Sequence, residues 1–83
     1  MTREEIKSSI IEILNDTLPE TEIGVLEDNV PISQQLEMDS MDFLDIIMAI
    51  KMKYKVEVLE RDYENITSIN STIDYLKTKL ANA

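Results

Sequence analysis

Three apolar stripes of helical period constrain what this chain can fold into. Between residues 3 and 18, Ile6, Ile10, Ile13 and Leu14 fall at i, i+4, i+7 and i+8, with Glu4, Glu5, Lys7 and Glu12 between them. Between residues 40 and 54 the stripe is Phe43, Ile46, Ile47, Ile50 and Tyr54, and between 68 and 80 it is Ile69, Ile73, Leu76 and Leu80. Side chains so spaced share one helix face and must be covered, so three amphipathic helices have to pack on one another.

The ends of these helices are written in their caps. Thr2 with Glu5 at the third helical position starts the first, and Pro19 disfavours helical geometry at Leu18 and ends it. Asp39 followed three residues later by Asp42 resembles a capping box and puts Ser40 in the first turn of the second helix, hydroxyl outward. Ser68 can cap the last helix, and Lys77 and Lys79 complement its dipole near the C-terminus.

Residues 19–39 hold both prolines and the only glycine and show no sustained period, so they read as a long connection. Connections this long in a small domain are packed or functional. Ile23, Val25, Leu26, Val30, Ile32 and Leu36 offer anchors to the core, and a helical turn fits near residues 21–28. Val56-Glu57-Val58 alternates like a strand, but three residues with no visible partner read as a linker. A short helix over residues 60–65 follows, offering Tyr63 and Leu59 to the core. The expected fold is all-α: a small four-helix bundle of three longer helices and one short helix, with a long loop between helices one and two.

Beside its main stripe the second helix also carries Met41, Leu44 and Met48, so its apolar face is wide. A helix apolar over more than half its circumference is central to its bundle, and on that reading the methionines are core packing.

Eighty-three residues form one domain, 1–83, with room for one core but not for a deep substrate cleft as well. The chain contains neither cysteine nor histidine, which removes disulfides, thiolate metal sites and the commonest general base, and points away from an enzyme. A formal charge of −9 disfavours nucleic acid and anionic lipid and favours basic partner surfaces. With no signal-peptide core and no run long enough to span a bilayer, the expectation is a cytoplasmic monomer without stable membrane insertion.

The stretch Asp39-Ser40-Met41-Asp42, followed by Phe43 and Leu44, resembles the attachment site of acyl carrier proteins. Ile32 and Leu36, eight and four residues before the serine, fall where that family places its loop anchors. Asn65-Ile66-Thr67-Ser68-Ile69 and Ile73-Asp74-Tyr75-Leu76 are similar to its later segments, and the likeness covers residues 3–81. The resemblance implies that Ser40 carries 4'-phosphopantetheine, transferred from coenzyme A by a phosphopantetheinyl transferase. It further implies acyl intermediates held as thioesters and delivered to acyl-transferring and synthase enzymes of fatty acid, lipid or related secondary metabolite synthesis.

Those enzymes would present basic docking surfaces to Asp39, Met41, Asp42 and Asp45. Where the family is often acidic at the end of this helix, the chain has Lys51, Lys53 and Lys55, which implies a specialised member. The lysines read equally as dipole complements and as determinants of partner choice. Met41, Leu44, Ile47 and Ile69 are candidates to line an acyl pocket. An aminoacyl, D-alanyl or peptidyl carrier is the alternative, and a non-carrier acidic interaction module a further one. A calcium site at Asp39, Asp42 and Asp45 lacks the ligand spacing and central glycine of an EF-hand loop, so no metal is expected.

Overall fold

In the computed structural model, which describes residues 2–81, the chain is all-helical. Helix α1 spans Arg3–Thr17, a single turn α2 spans Ile32–Gln35, α3 spans Ser40–Tyr54, a 3-10 helix spans Glu60–Asn65, and α4 spans Ile69–Ala81. The three long helices and the short one at 60–65 stand where the stripes place them. The turn in the connection does not: residues 21–28 carry no helix, and the turn falls at Ile32–Gln35. Pro31 at its N-cap explains the shift, because proline has no N–H to leave unsatisfied and presets the backbone ahead of a first helical position.

Reciprocal caps start the long helices. The Thr2 hydroxyl accepts from the Glu5 N–H at 3.1 Å, and the Glu5 carboxylate accepts from the Thr2 N–H at 3.0 Å. That backbone bond, with the Thr2 hydroxyl second, holds the Glu5 carboxyl below its ordinary range. At α4, the Ser68 hydroxyl accepts from the Ser71 N–H at 3.1 Å while the Ser71 hydroxyl accepts from the Ser68 N–H at 3.0 Å. Helix α3 ends on Lys55 in the left-handed region, with φ 55°.

The core is the three stripes brought together: Ile6, Ile10, Ile13 and Leu14 from α1, Ile46, Ile47 and Ile50 from α3, and Ile69, Ile73 and Leu76 from α4 are all buried. Helix α1 packs against both α3 and α4 and is the hub of the bundle. This corrects the expectation that the broad face of α3 makes it central. Met41, Leu44 and Met48, expected in the core, are 73%, 48% and 61% exposed, and Met52 is 74% exposed. The side of α3 turned toward α1, the connection and the 3-10 helix is covered, and the additional apolar width faces water.

Four of the six expected anchors, Ile23, Leu26, Ile32 and Leu36, are buried and pin the connection, whereas Val30 is half-buried and Val25 is fully exposed. Gly24, with φ +60°, turns the chain just before Val25. Polar bonds complete the attachment. The Ile32 N–H donates to the Thr67 carbonyl at 2.8 Å and the Asn70 N–H to the Asp28 carbonyl at 2.9 Å. The Gln35 amide accepts from the Glu27 N–H at 2.7 Å and donates to the Glu27 and Val30 carbonyls, each at 2.8 Å. One side chain thereby satisfies three backbone groups that no regular element would serve.

Candidate functional site at the start of α3

The junction at residues 38–43 is built by local chemistry. Asp39 is the N-cap of α3 in extended geometry; its carboxylate accepts from the Asp42 N–H at 2.9 Å, and the Asp42 carboxylate accepts from the Asp39 N–H at 3.2 Å. The two aspartates cap each other and leave the Ser40 hydroxyl out of the cap. Ser40 is the first helical residue and is exposed, as the capping pattern requires. Its N–H and that of Met41 have no intrahelical partner, because the first turn lacks preceding carbonyls, and they lie at the positive end of the dipole.

Beneath this junction lies an apolar cavity of about 60 Å³. It is lined by Ile10 of α1, Ile32 and Ser33 of α2, Phe43, Ile46 and Ile50 of α3, and Thr72 of α4, with Met38, Ile66 and Thr67 from the connecting segments. Met38 just before the cap and Phe43 at the fourth helical position occupy the places of a hydrophobic staple, and both line the cavity. That staple was a signal present in the sequence and passed over.

None of Met41, Leu44, Ile47 and Ile69, the expected acyl-pocket candidates, lines this cavity. Ile47 and Ile69 are buried elsewhere in the core, and Met41 and Leu44 face outward. The cavity lies on the Phe43–Ile46–Ile50 side of α3, whereas Met41 and Leu44 point away from it. Sequence reasoning missed Met38, Ile66, Thr67 and Thr72, which come together only when the connection and the start of α4 close over α3.

Asp39, Asp45, Met41, Lys51 and Lys53 are exposed and Asp42 is half-buried. The lysines do not form one patch. Lys53 reaches α1, its Nζ 3.4 Å from Glu12 Oε2, while Lys51 makes no ion pair among the described residues. Two residues apart on a helix means about 200° of rotation, so these two side chains flank α3 on opposite sides. Among the described residues no three or more His, Cys, Asp or Glu side chains are grouped to hold a metal ion, and no helix is long and apolar enough to cross a membrane.

The profile of the family described as "Phosphopantetheine attachment site" matches residues 4–76. The chain belongs to the acyl carrier protein family. Curated relatives named acyl carrier protein include one from Rubrobacter xylanophilus, 33% identical over 92% of this chain and 93% of its own length. Another, from Thermotoga maritima, is 30% identical over 95% and 96% respectively. A third, from Buchnera aphidicola, is 30% identical over 89% and 87%.

As a member of this acyl carrier family the chain is a carrier and not an enzyme, and its cofactor is covalent 4'-phosphopantetheine. The junction at Ser40 fits such a group. A phosphodiester there would meet free backbone N–H groups and the positive end of a 15-residue helix. When bound, the arm supplies a thiol for thioester formation. At that junction this chain presents the exposed Ser40 hydroxyl on a firm helix start.

Proposed function

We propose that Ser40 is the residue that carries the phosphopantetheine arm, and that this single domain, residues 1–83, holds acyl intermediates as thioesters on it in the cytoplasm. The observation that carries this reading is the position of Ser40. It stands exposed at the first position of α3, between two staple residues, Met38 and Phe43, that both line an apolar cavity. An arm rooted at that junction can fold back and bring its cargo to the cavity. The cavity's apolar lining favours an acyl cargo over an aminoacyl one, which would bring a charged ammonium to a site with no carboxylate.

The pocket is incipient. At about 60 Å³ it has less than half the volume of a roughly 150 Å³ protein cavity that binds benzene. An acyl chain enters by displacing the staple, whose Met38 side chain is flexible, so pocket volume follows cargo. Asp39, Asp42 and Asp45 gather negative charge around the arm's root and attract basic surfaces of the transferase and of acyl-transferring and synthase enzymes of fatty acid, lipid or related metabolism.

Intact mass after incubation with coenzyme A, magnesium and a broad-specificity phosphopantetheinyl transferase tests the assignment. The wild type gains one phosphopantetheinyl group and Ser40→Ala gains none. A modified alanine variant, or an unmodified wild type beside a carrier that the same enzyme does modify, refutes it.

A further inference from the structure

The outward face of α3 carries a feature that the arm and the cavity leave unused. Met41, Met48 and Met52 recur at i, i+7 and i+11, which keeps them within about 40° of one another around the helix and along roughly 16 Å of its axis. All three are more than 60% exposed, with Leu44 half-exposed beside them. Exposed methionine in this position adds nothing to the bundle, since α1 covers the opposite face. A flexible, polarizable side chain does suit a surface that must fit more than one partner.

Charge along this stripe changes sign. Asp39, Asp42 and Asp45 border its first half, whereas Lys51 and Lys55 border its second, and neither lysine makes an ion pair among the described residues. Lys53 is excluded from this face because it is engaged with Glu12. Complementing the helix dipole accounts for a basic charge in the last turn. It does not account for the methionine standing exposed between Lys51 and Lys55 in a chain of net charge −9.

We propose that Met48, Lys51, Met52 and Lys55 form a second docking element that selects partner enzymes whose apolar groove is basic beside the arm and acidic at its far end. This deepens the carrier reading and rests on it. The two-signed rim attracts such a groove in one direction along the helix and repels a groove that is basic throughout. Exposed pairs of this kind act on encounter and on the exclusion of wrong partners more than on affinity. Methionines at the centre supply the contact that survives in salt.

The test uses the acyl-loaded carrier and a condensing enzyme with a docking groove basic along its whole length, in native form and with the far-end basic residues changed to Glu. At low ionic strength the wild-type carrier should favour the Glu-bearing enzyme by about fivefold in kcat/KM, as two exposed ion pairs allow. Lys51→Glu with Lys55→Glu, helicity checked, should reverse the preference, and both effects should fade at about 1 M salt. Met52→Ser should raise KM on the matched pair at every salt concentration while leaving kcat unchanged.

If both enzymes rank the two carriers alike, the proposal is overturned while the carrier reading stands. If Ser40 never gains the arm by intact mass, both fall. Sedimentation covers the remaining occupant: a wild-type dimer dispersed by the Lys51→Glu and Lys55→Glu changes would give this face to a second copy of the chain and overturn the proposal.

Discussion

Phe43 on α3 and Tyr63 on the 3-10 helix meet edge to face, with ring centroids 5.9 Å apart and planes at 80°. The 3-10 helix buries no residue of its own; this pair, the Tyr75–Asp62 hydrogen bond and the Lys79–Asp62 ion pair at 4.0 Å tie it to the long helices. Phe43 also lines the cavity, so the pair joins the 3-10 helix to the cavity wall. Tyr63→Ala should therefore destabilise the protein by about 1–2 kcal/mol, from the lost ring contact and partial burial, and Tyr63→Phe by much less. Chemical denaturation checks the ranking, and equal loss in both variants would show that the hydroxyl and not the ring contact matters.

If acyl chains occupy the cavity beneath Ser40, filling it in advance should oppose them. Ile46→Phe should cost about 1–3 kcal/mol by overpacking and should shrink the rise in Tm that acylation gives the wild-type holo form. Leu44→Phe, on an exposed site, should leave that rise intact. Calorimetry of holo and acylated forms decides, and equal rises in wild type and Ile46→Phe would remove the cavity from the argument.

Asp39 combines a cap with a charge, and the two are separable. Asp39→Asn keeps a side-chain oxygen for the Asp42 N–H, so stability should hold within a few tenths of a kcal/mol, whereas Asp39→Ala should lose about 1 kcal/mol. Phosphopantetheinylation should slow in both at low salt, because both lose the charge that attracts a basic enzyme. A normal rate for Asp39→Asn would confine this residue to its structural role.

The Gln35 amide is the main polar tie of the connection. Gln35→Ala should cost about 1–3 kcal/mol and speed hydrogen exchange at the Glu27 N–H. Gln35→Glu should cost more at neutral pH, because a carboxylate cannot donate to the Glu27 and Val30 carbonyls. Unchanged exchange at Glu27 in either variant would mean that the buried anchors alone hold the loop.

The Tyr75 hydroxyl donates to Asp62 Oδ2 at 2.8 Å; burial first, then that bond and the negative charges of Asp62 and Glu57, push its pKa from 10.0 to about 12. The folded state thus keeps a proton that the unfolded chain loses. Stability from this group is fully present below pH 10 and is lost as pH rises toward about 12. Tm measured across that range should fall faster for the wild type than for Tyr75→Phe, and parallel curves would contradict the shift.

What could be read in the sequence was what depends on near neighbours. Caps join residues three apart, so Thr2 with Glu5, Asp39 with Asp42, and Ser68 were visible, and with them the start of each long helix and the exposure of Ser40. The stripe residues Ile6, Ile10, Ile47 and Ile73 were placed inside by periodicity alone, since any packing of three amphipathic helices buries them. Family resemblance rested on that same local order.

Tertiary structure decided whatever depends on which surface meets which. Met41 and Met48 are as apolar as a core position requires, yet they face water because α1 became the hub and covers only one side of α3. Lys51 and Lys53 are alike in sequence, but only Lys53 finds Glu12 across the α1–α3 contact. The cavity gathers Ile10, Ile32, Met38, Phe43 and Thr72, separated by up to 62 positions, and no local period encodes that meeting. A helix can be specified by contacts within a turn, whereas a pocket exists only after loop and helices have closed around the same volume.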